Sequence, residues 1–106
     1  MLKRLKRRYL ALQLDLDCMP IEKKFMDAVW GAVTQMFGEY GASMASLALI
    51  SYDCERKLAV VRVDLDMVNN MRAALATVTS IGGESVALHV MAVSGTIRAL
   101  RVKMGY

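Results

Sequence analysis

Residues 93–103, VSGTIRALRVK, place a Ser-Gly-Thr turn directly ahead of Arg98, Arg101 and Lys103. Each residue type there suits an anion. Gly95 lets the chain turn tightly and lets a ligand approach the backbone. Ser94 and Thr96 frame the N–H groups at the start of a predicted helix, where the helix dipole favours phosphate. Arginines three apart project from adjacent turns and reach neighbouring phosphates. The same residues have a plainer reading, in which Ser94 or Thr96 caps the helix, takes up the same donors and leaves the arginines in solvent. A second cationic cluster opens the chain, with Lys3, Arg4, Lys6, Arg7 and Arg8 inside eight residues. Eight of the 14 Lys and Arg therefore sit at the chain ends, although the net charge is only +4. That clustering points to nucleic acid, to an acidic membrane surface, or to a solvated arm that keeps the protein soluble.

Other chemistries find little support. A nucleophile needs a base within hydrogen-bond reach. The only histidine, His89, falls in mid-strand, where a structural role is expected. Cys18 and Cys54 form no CxxC pair, which argues against zinc and leaves two reduced, half-buried thiols as the expectation. Asp15, Asp17, Asp64 and Asp66 divide between opposite strand ends and read as solvated termini or helix caps. IGGES is a glycine turn with no Gly-Lys-Ser/Thr following, so it is no phosphate loop. No catalytic residue and no metal ligand is assigned.

The 106 residues, 56% hydrophobic, suit one domain spanning 1–106, with residues 1–8 as a basic arm. No apolar run approaches the roughly 18 residues of a membrane span. Asp15 and Asp17 interrupt the apolar stretch behind the arm, so a signal peptide is not expected and the protein is read as cytoplasmic. Leu10, Leu12, Leu14 and Leu16 alternate with Ala11, Gln13 and Asp15, the period of a strand with one buried face. Pro20 suits a helix start, and Ile21, Phe25, Val29, Ala32 and Met36 form an apolar stripe along a helix over 21–37. Gly38 and Gly41 in GEYGAS should break it. Strands follow over 44–52 and 58–65, a helix capped by Asp64 or Asp66 over 67–81, a strand over 86–93, and the final helix.

The order β-α-β-β-α-β plus a C-terminal helix is the ferredoxin-like, RRM-like αβ sandwich of the α+β class, a four-stranded antiparallel sheet carrying two helices on one face. In the usual order 4-1-3-2, the start of strand 1 lies beside the end of strand 4. The basic arm and the SGT segment then meet at one sheet end, together with GEYGAS and Arg72 at the head of the second helix. Two weak cationic signals become one patch, which favours RNA. Base stacking on the open face is not expected. Its outward positions, Tyr9, Ala11, Gln13 and Asp15 on strand 1 and Leu58, Val60, Arg62 and Asp64 on strand 3, carry one aromatic at the rim. That face suits protein contact or cover by the last helix. Met26, Trp30 and Phe37 widen the first helix's stripe, as a broad core or as a protein interface.

KRRYLALQL, Trp30 followed by FGEYGAS, LISYD, VVRV, RAALATVTSIGG and VSGTIRALR together resemble the archaeal ribonuclease P protein component 2 family, with eukaryotic relatives in ribonuclease P and the related ribosomal-RNA-processing enzyme. The blocks run in order from about residue 6 to 103. The resemblance implies a protein subunit of an endonuclease, a hydrolase whose RNA removes 5′ leaders from precursor tRNA. It implies no cofactor bound by the protein, Mg2+ being required by the catalytic RNA. It implies the ribonuclease P RNA, precursor tRNA, component 3 and other ribonuclease P proteins as partners, with a heterotetramer of two component 2–component 3 pairs, and no membrane. Self-association, a free-standing RNA-binding module such as a ribosome-associated protein, and a ferredoxin-like regulatory domain stay open beside it.

Overall fold

In the computed structural model, four strands form one antiparallel sheet: β1 (Arg7–Asp15), β2 (Ala48–Asp53), β3 (Leu58–Asp64) and β6 (Ala87–Ser94). Helix α1 spans Glu22–Met44, α2 Val68–Ala76 and α3 Ile97–Met104, and β4 (Ser80–Ile81) pairs with β5 (Glu84–Ser85) as a two-residue hairpin. Residues 6–44 and 46–105 are described, without the side chains of 40–44. The sheet order is β2-β3-β1-β6, the predicted 4-1-3-2 read backwards.

Strict alternation decides the faces. Leu10, Leu12 and Leu14 are wholly buried, as are Ala59, Val61 and Val63 on the neighbouring strand β3. They pack on Phe25, Val29 and Val33 of α1 and Met71, Ala74 and Leu75 of α2. The outward residues Ala11 and Val60 instead meet Leu100 of α3, with Tyr9, Ile50, Ala92 and Met104 around them. The last helix thus covers part of the outer face, one of the two uses expected for it.

The α1 stripe is rotated from the prediction. Phe25, Val29 and Val33 carry the core, while Ile21 and Met36 are 63% and 44% exposed. Ile21 precedes the helix, and Met36 falls next to the bend at Gly38. Gly38 (φ 75°) kinks the helix rather than ending it, and the backbone continues helical to Met44. The second strand accordingly starts at Ala48, not at residue 44.

The second helix is shorter than the 67–81 prediction. A 3-10 turn over Leu65–Met67 precedes it, and neither Asp64 nor Met67 caps it with a side chain. It stops at Ala76, where Thr77 Oγ1 donates to the Ala74 carbonyl at 2.6 Å. The β-branched run that follows favours extended chain. Gly82 (φ 58°) and Gly83 (φ 86°) then close the β4–β5 hairpin, a turn that needs both left-handed residues.

At the far sheet end, Asp53 Oδ1 accepts the N–H groups of Glu55 and Arg56 and shapes the β2–β3 turn. Lys57 Nζ donates to the Leu16 carbonyl at 2.7 Å, and the Tyr52 hydroxyl donates to the Pro20 carbonyl at 2.5 Å. The Tyr52 ring packs on Phe25 with centroids 5.3 Å apart. Burial first, then the nearby Cys54 and Glu22, push the Tyr52 hydroxyl up to about 12 from 10.0. The folded state thus holds this proton more tightly than the unfolded chain. The resulting stability is fully present below pH 10 and is lost as pH rises from 10 through 12. Tyr52→Phe is expected to cost about 0.5–1.5 kcal/mol near neutral pH through the lost hydrogen bond. It should also remove part of the alkaline decline in denaturant midpoint between pH 9 and 12. An unaltered decline would place that titration elsewhere.

Candidate functional site

The sheet end where β1 begins and β6 finishes gathers most of the predicted cations. Arg7 and Arg8 are not a free arm: they are the first residues of β1, opposite Asp64 and Val63. The Lys6 carbonyl accepts from Leu65 N at 2.8 Å. Lys3 and Arg4 lie outside the described residues. Tyr9 pairs with Ser94, so the start of β1 and the end of β6 are neighbours.

Arg8 reaches across that junction. Its Nη1 donates to the Arg7 carbonyl at 2.9 Å. A Cβ placed on Gly95 would lie 3.4 Å from Arg8 Nη1 and 3.7 Å from its Cζ. The Arg8 guanidinium therefore lies against Gly95, just ahead of α3. Gly95 does not have a positive φ, so the backbone does not demand glycine, and a Cβ there would make only ordinary contact with Arg8.

Thr96 is the N-cap of α3, its Oγ1 accepting from Ala99 N at 3.1 Å. One donor is therefore taken, as the capping reading requires. The N–H groups of Ile97 and Arg98 precede the first intrahelical bond, Leu100 N to the Thr96 carbonyl. Ser94 is 7% exposed within β6. It pairs with Tyr9 at the end of that strand, next to the Gly95 turn. Arg98 and Arg101 are exposed, but they diverge: Arg101 lines a groove beside β2. Lys103 Nζ donates to the Val93 carbonyl at 2.7 Å and so holds α3 on β6. Arg72 is exposed on α2, on the opposite face of the sheet from α3.

Arg62 is a residue that the sequence reading left out of the patch. It lies opposite Tyr9 on β3, and its Nε is buried without a hydrogen-bond partner. Asp64 Oδ1, two residues on, is likewise unpartnered, while its Oδ2 accepts from Ser46 Oγ at 3.3 Å. The available signal was the single arginine at an outward position of an otherwise Val-rich strand.

His89 is exposed on β6 opposite Gln13, on the edge strand of the sheet, rather than in the structural role expected of it. Both cysteines are exposed rather than half-buried, since each sits in a connection at the far sheet end. Among the described residues, no group of three or more His, Cys, Asp or Glu is placed to hold a metal, and no helix is long and apolar enough to cross a membrane. Met26, Trp30 and Phe37 are all half-buried, each packed on the edge of the main core.

This is a ferredoxin-like αβ sandwich whose open face is partly covered by its own C-terminal helix and whose one end is cationic. The sequence profile of the Rpp14/Pop5 family matches residues 8–104. The chain belongs to that family. Ribonuclease P protein component 2 of Pyrococcus abyssi is 32% identical over 98 residues, which cover 92% of this chain and 83% of that protein. The protein of the same name from Thermococcus kodakarensis is 36% identical over 92% of this chain and 82% of its own length. That from Methanoculleus marisnigri is 38% identical over 95% of this chain and 62% of its own length. Among solved structures, a chain in the cryo-EM structure of yeast ribonuclease MRP shares the fold with a TM-score of 0.70 at 13% identity, over 91% of this chain and 79% of that one.

Proposed function

We propose that this chain serves ribonuclease P as a protein subunit that supports the RNA in removing 5′ leaders from precursor tRNA. Membership of the Rpp14/Pop5 family over residues 8–104, with relatives named ribonuclease P protein component 2, carries the reading. The chemistry, including its Mg2+ requirement, is assigned to the RNA. The protein's contribution is charge and shape. Lys6, Arg7, Arg8, Arg62 and Arg98 supply cations at one sheet end, with Arg101 and Lys103 flanking them and Lys3 and Arg4 preceding them in the chain. A phosphate against Arg8 and the head of α3 meets a guanidinium and two free N–H groups. With α3 on the outer face and Tyr9 half-buried beneath its edge, contact through the phosphate backbone is favoured over base stacking.

Arg98→Ala with Arg101→Ala tests this. If both hold phosphates, the slope of log K against log salt for the ribonuclease P RNA flattens by about 1–2 units. An unchanged slope with a well-folded variant would leave the α3 arginines out of the RNA contact.

Component 3 is the expected protein partner, in a heterotetramer of two pairs. Met26, Trp30 and Phe37 are proposed for a protein interface because each leaves part of an apolar side chain uncovered on one helix. Trp30→Ala should weaken co-purification with component 3 more than RNA affinity; equal losses would return Trp30 to the core.

A further inference from the structure

The sheet is unequally covered. Four strands spaced about 4.8 Å apart accommodate two helices of roughly 10 Å diameter side by side on each face. The inner face carries two, α1 and α2. The outer face carries only α3, which packs over β6 and β1 and reaches Val60 through Leu100. Beside it, over β2 and β3, runs a groove of about 580 Å³. Ile50 and Val60 form its floor, and Ile97, Leu100 and Met104 form one wall. Those wall positions are spaced i, i+3 and i+7, one face of a helix. Asp53, which lies 3.9 Å from Arg56 Nε, and Glu55 add carboxylates from the β2–β3 turn, and Arg101 of α3 adds one guanidinium.

We propose that this groove seats one amphipathic helix of a protein partner, which completes the outer layer as α2 completes the inner one. The helix presents an apolar stripe to Ile50, Val60 and the α3 wall, and places a lysine or arginine against the Asp53–Glu55 turn. The width matches one helix, the floor matches its apolar stripe, and the acidic turn matches a basic residue. Phosphate is a poor occupant, because the floor is apolar and two carboxylates line the groove against the single guanidinium of Arg101. A second copy of this chain has no described helix to spare: α1 and α2 pack on its own inner face and α3 on its own outer face. This surface meets the flank of the cationic patch at Arg101, and the proposal does not draw on the RNA reading.

The test places a photo-crosslinking benzoylphenylalanine at exposed Ile97 of the full chain in its own cells, and in a second variant at exposed Ser51, which also lines the groove. A third variant carries it at Asp27, exposed on α1, as the control. Crosslinked peptides are mapped by mass spectrometry. The expected result, from Ile97 or Ser51 but not from Asp27, is one segment of one protein with an i, i+3, i+7 apolar repeat and a Lys or Arg near one end. Adding Glu55→Lys should lower that yield about threefold or more, the scale of one surface charge pair. Crosslinks to RNA, to a second copy or to a non-helical segment overturn the proposal. So does the absence of any crosslink from both groove positions, or a yield indifferent to Glu55→Lys.

Discussion

Changing Arg8 and Arg98 together to glutamate is expected to lower affinity for the ribonuclease P RNA about 100-fold or more at fixed salt. Hydrogen bonds to charged groups contribute about 1.5–3 kcal/mol each, so two of them amount to roughly 3 kcal/mol or more. Reversal adds repulsion of the same phosphates to the loss of contact. The fold should tolerate both changes. Arg98 is exposed, and Arg8 is half-buried at the sheet rim, with one hydrogen bond to the adjacent carbonyl. Filter binding at several salt concentrations, with far-UV circular dichroism as the check on folding, reads the effect. A folded double variant that binds within about threefold of the parent, well under one decade, would remove the Arg8–Gly95 junction from the RNA surface.

Phe25→Ala is expected to destabilise the domain by about 3–5 kcal/mol, the cost of emptying a large aromatic site in a core. Phe25 is wholly buried, contacts Tyr52, and sits where α1 lies against the leucines of β1. Domains of this size hold about 5–15 kcal/mol in all, so the variant should be marginal at 37 °C. Ile21→Ala, only four residues away but 63% exposed, should change stability by no more than about 0.5 kcal/mol. Urea denaturation of the two variants distinguishes the observed helix face from the one that the stripe through Ile21 and Met36 implies. Equal losses would contradict the observed burial.

These two substitutions mark what the sequence makes legible. Strand faces follow from a strict period of two, because one residue of slip would turn Leu10, Leu12 and Leu14 out to water. The sheet order follows from the β-α-β-β-α-β succession with its usual order, and places Arg8 beside Gly95, although 87 positions separate them in the chain. Helix faces are less determined. The apolar arc of α1 runs from Ala28 round to Trp30, wider than one stripe, and the docking of the β1 leucines centres the buried side on Phe25, Val29 and Val33. The end of α2 is decided by Thr77 bonding back to Ala74 and by the pairing of Ser80 and Ile81 in a hairpin, a tertiary choice that periodicity does not record. The spent cation was equally hidden, since only packing shows that Lys103 holds the Val93 carbonyl. The unpartnered Nε of Arg62 is a property of burial, not of spacing.

The most direct measurement is single-turnover cleavage of precursor tRNA by the ribonuclease P RNA in Mg2+, with and without this chain and component 3. The predicted result is no cleavage by the chain alone, faster 5′-leader removal when the chain and component 3 join the RNA, and loss of that gain with Arg8→Glu and Arg98→Glu. His89→Ala should leave the gain intact. Cleavage by the chain without RNA, or an RNA rate indifferent to adding the folded pair, would contradict the assignment.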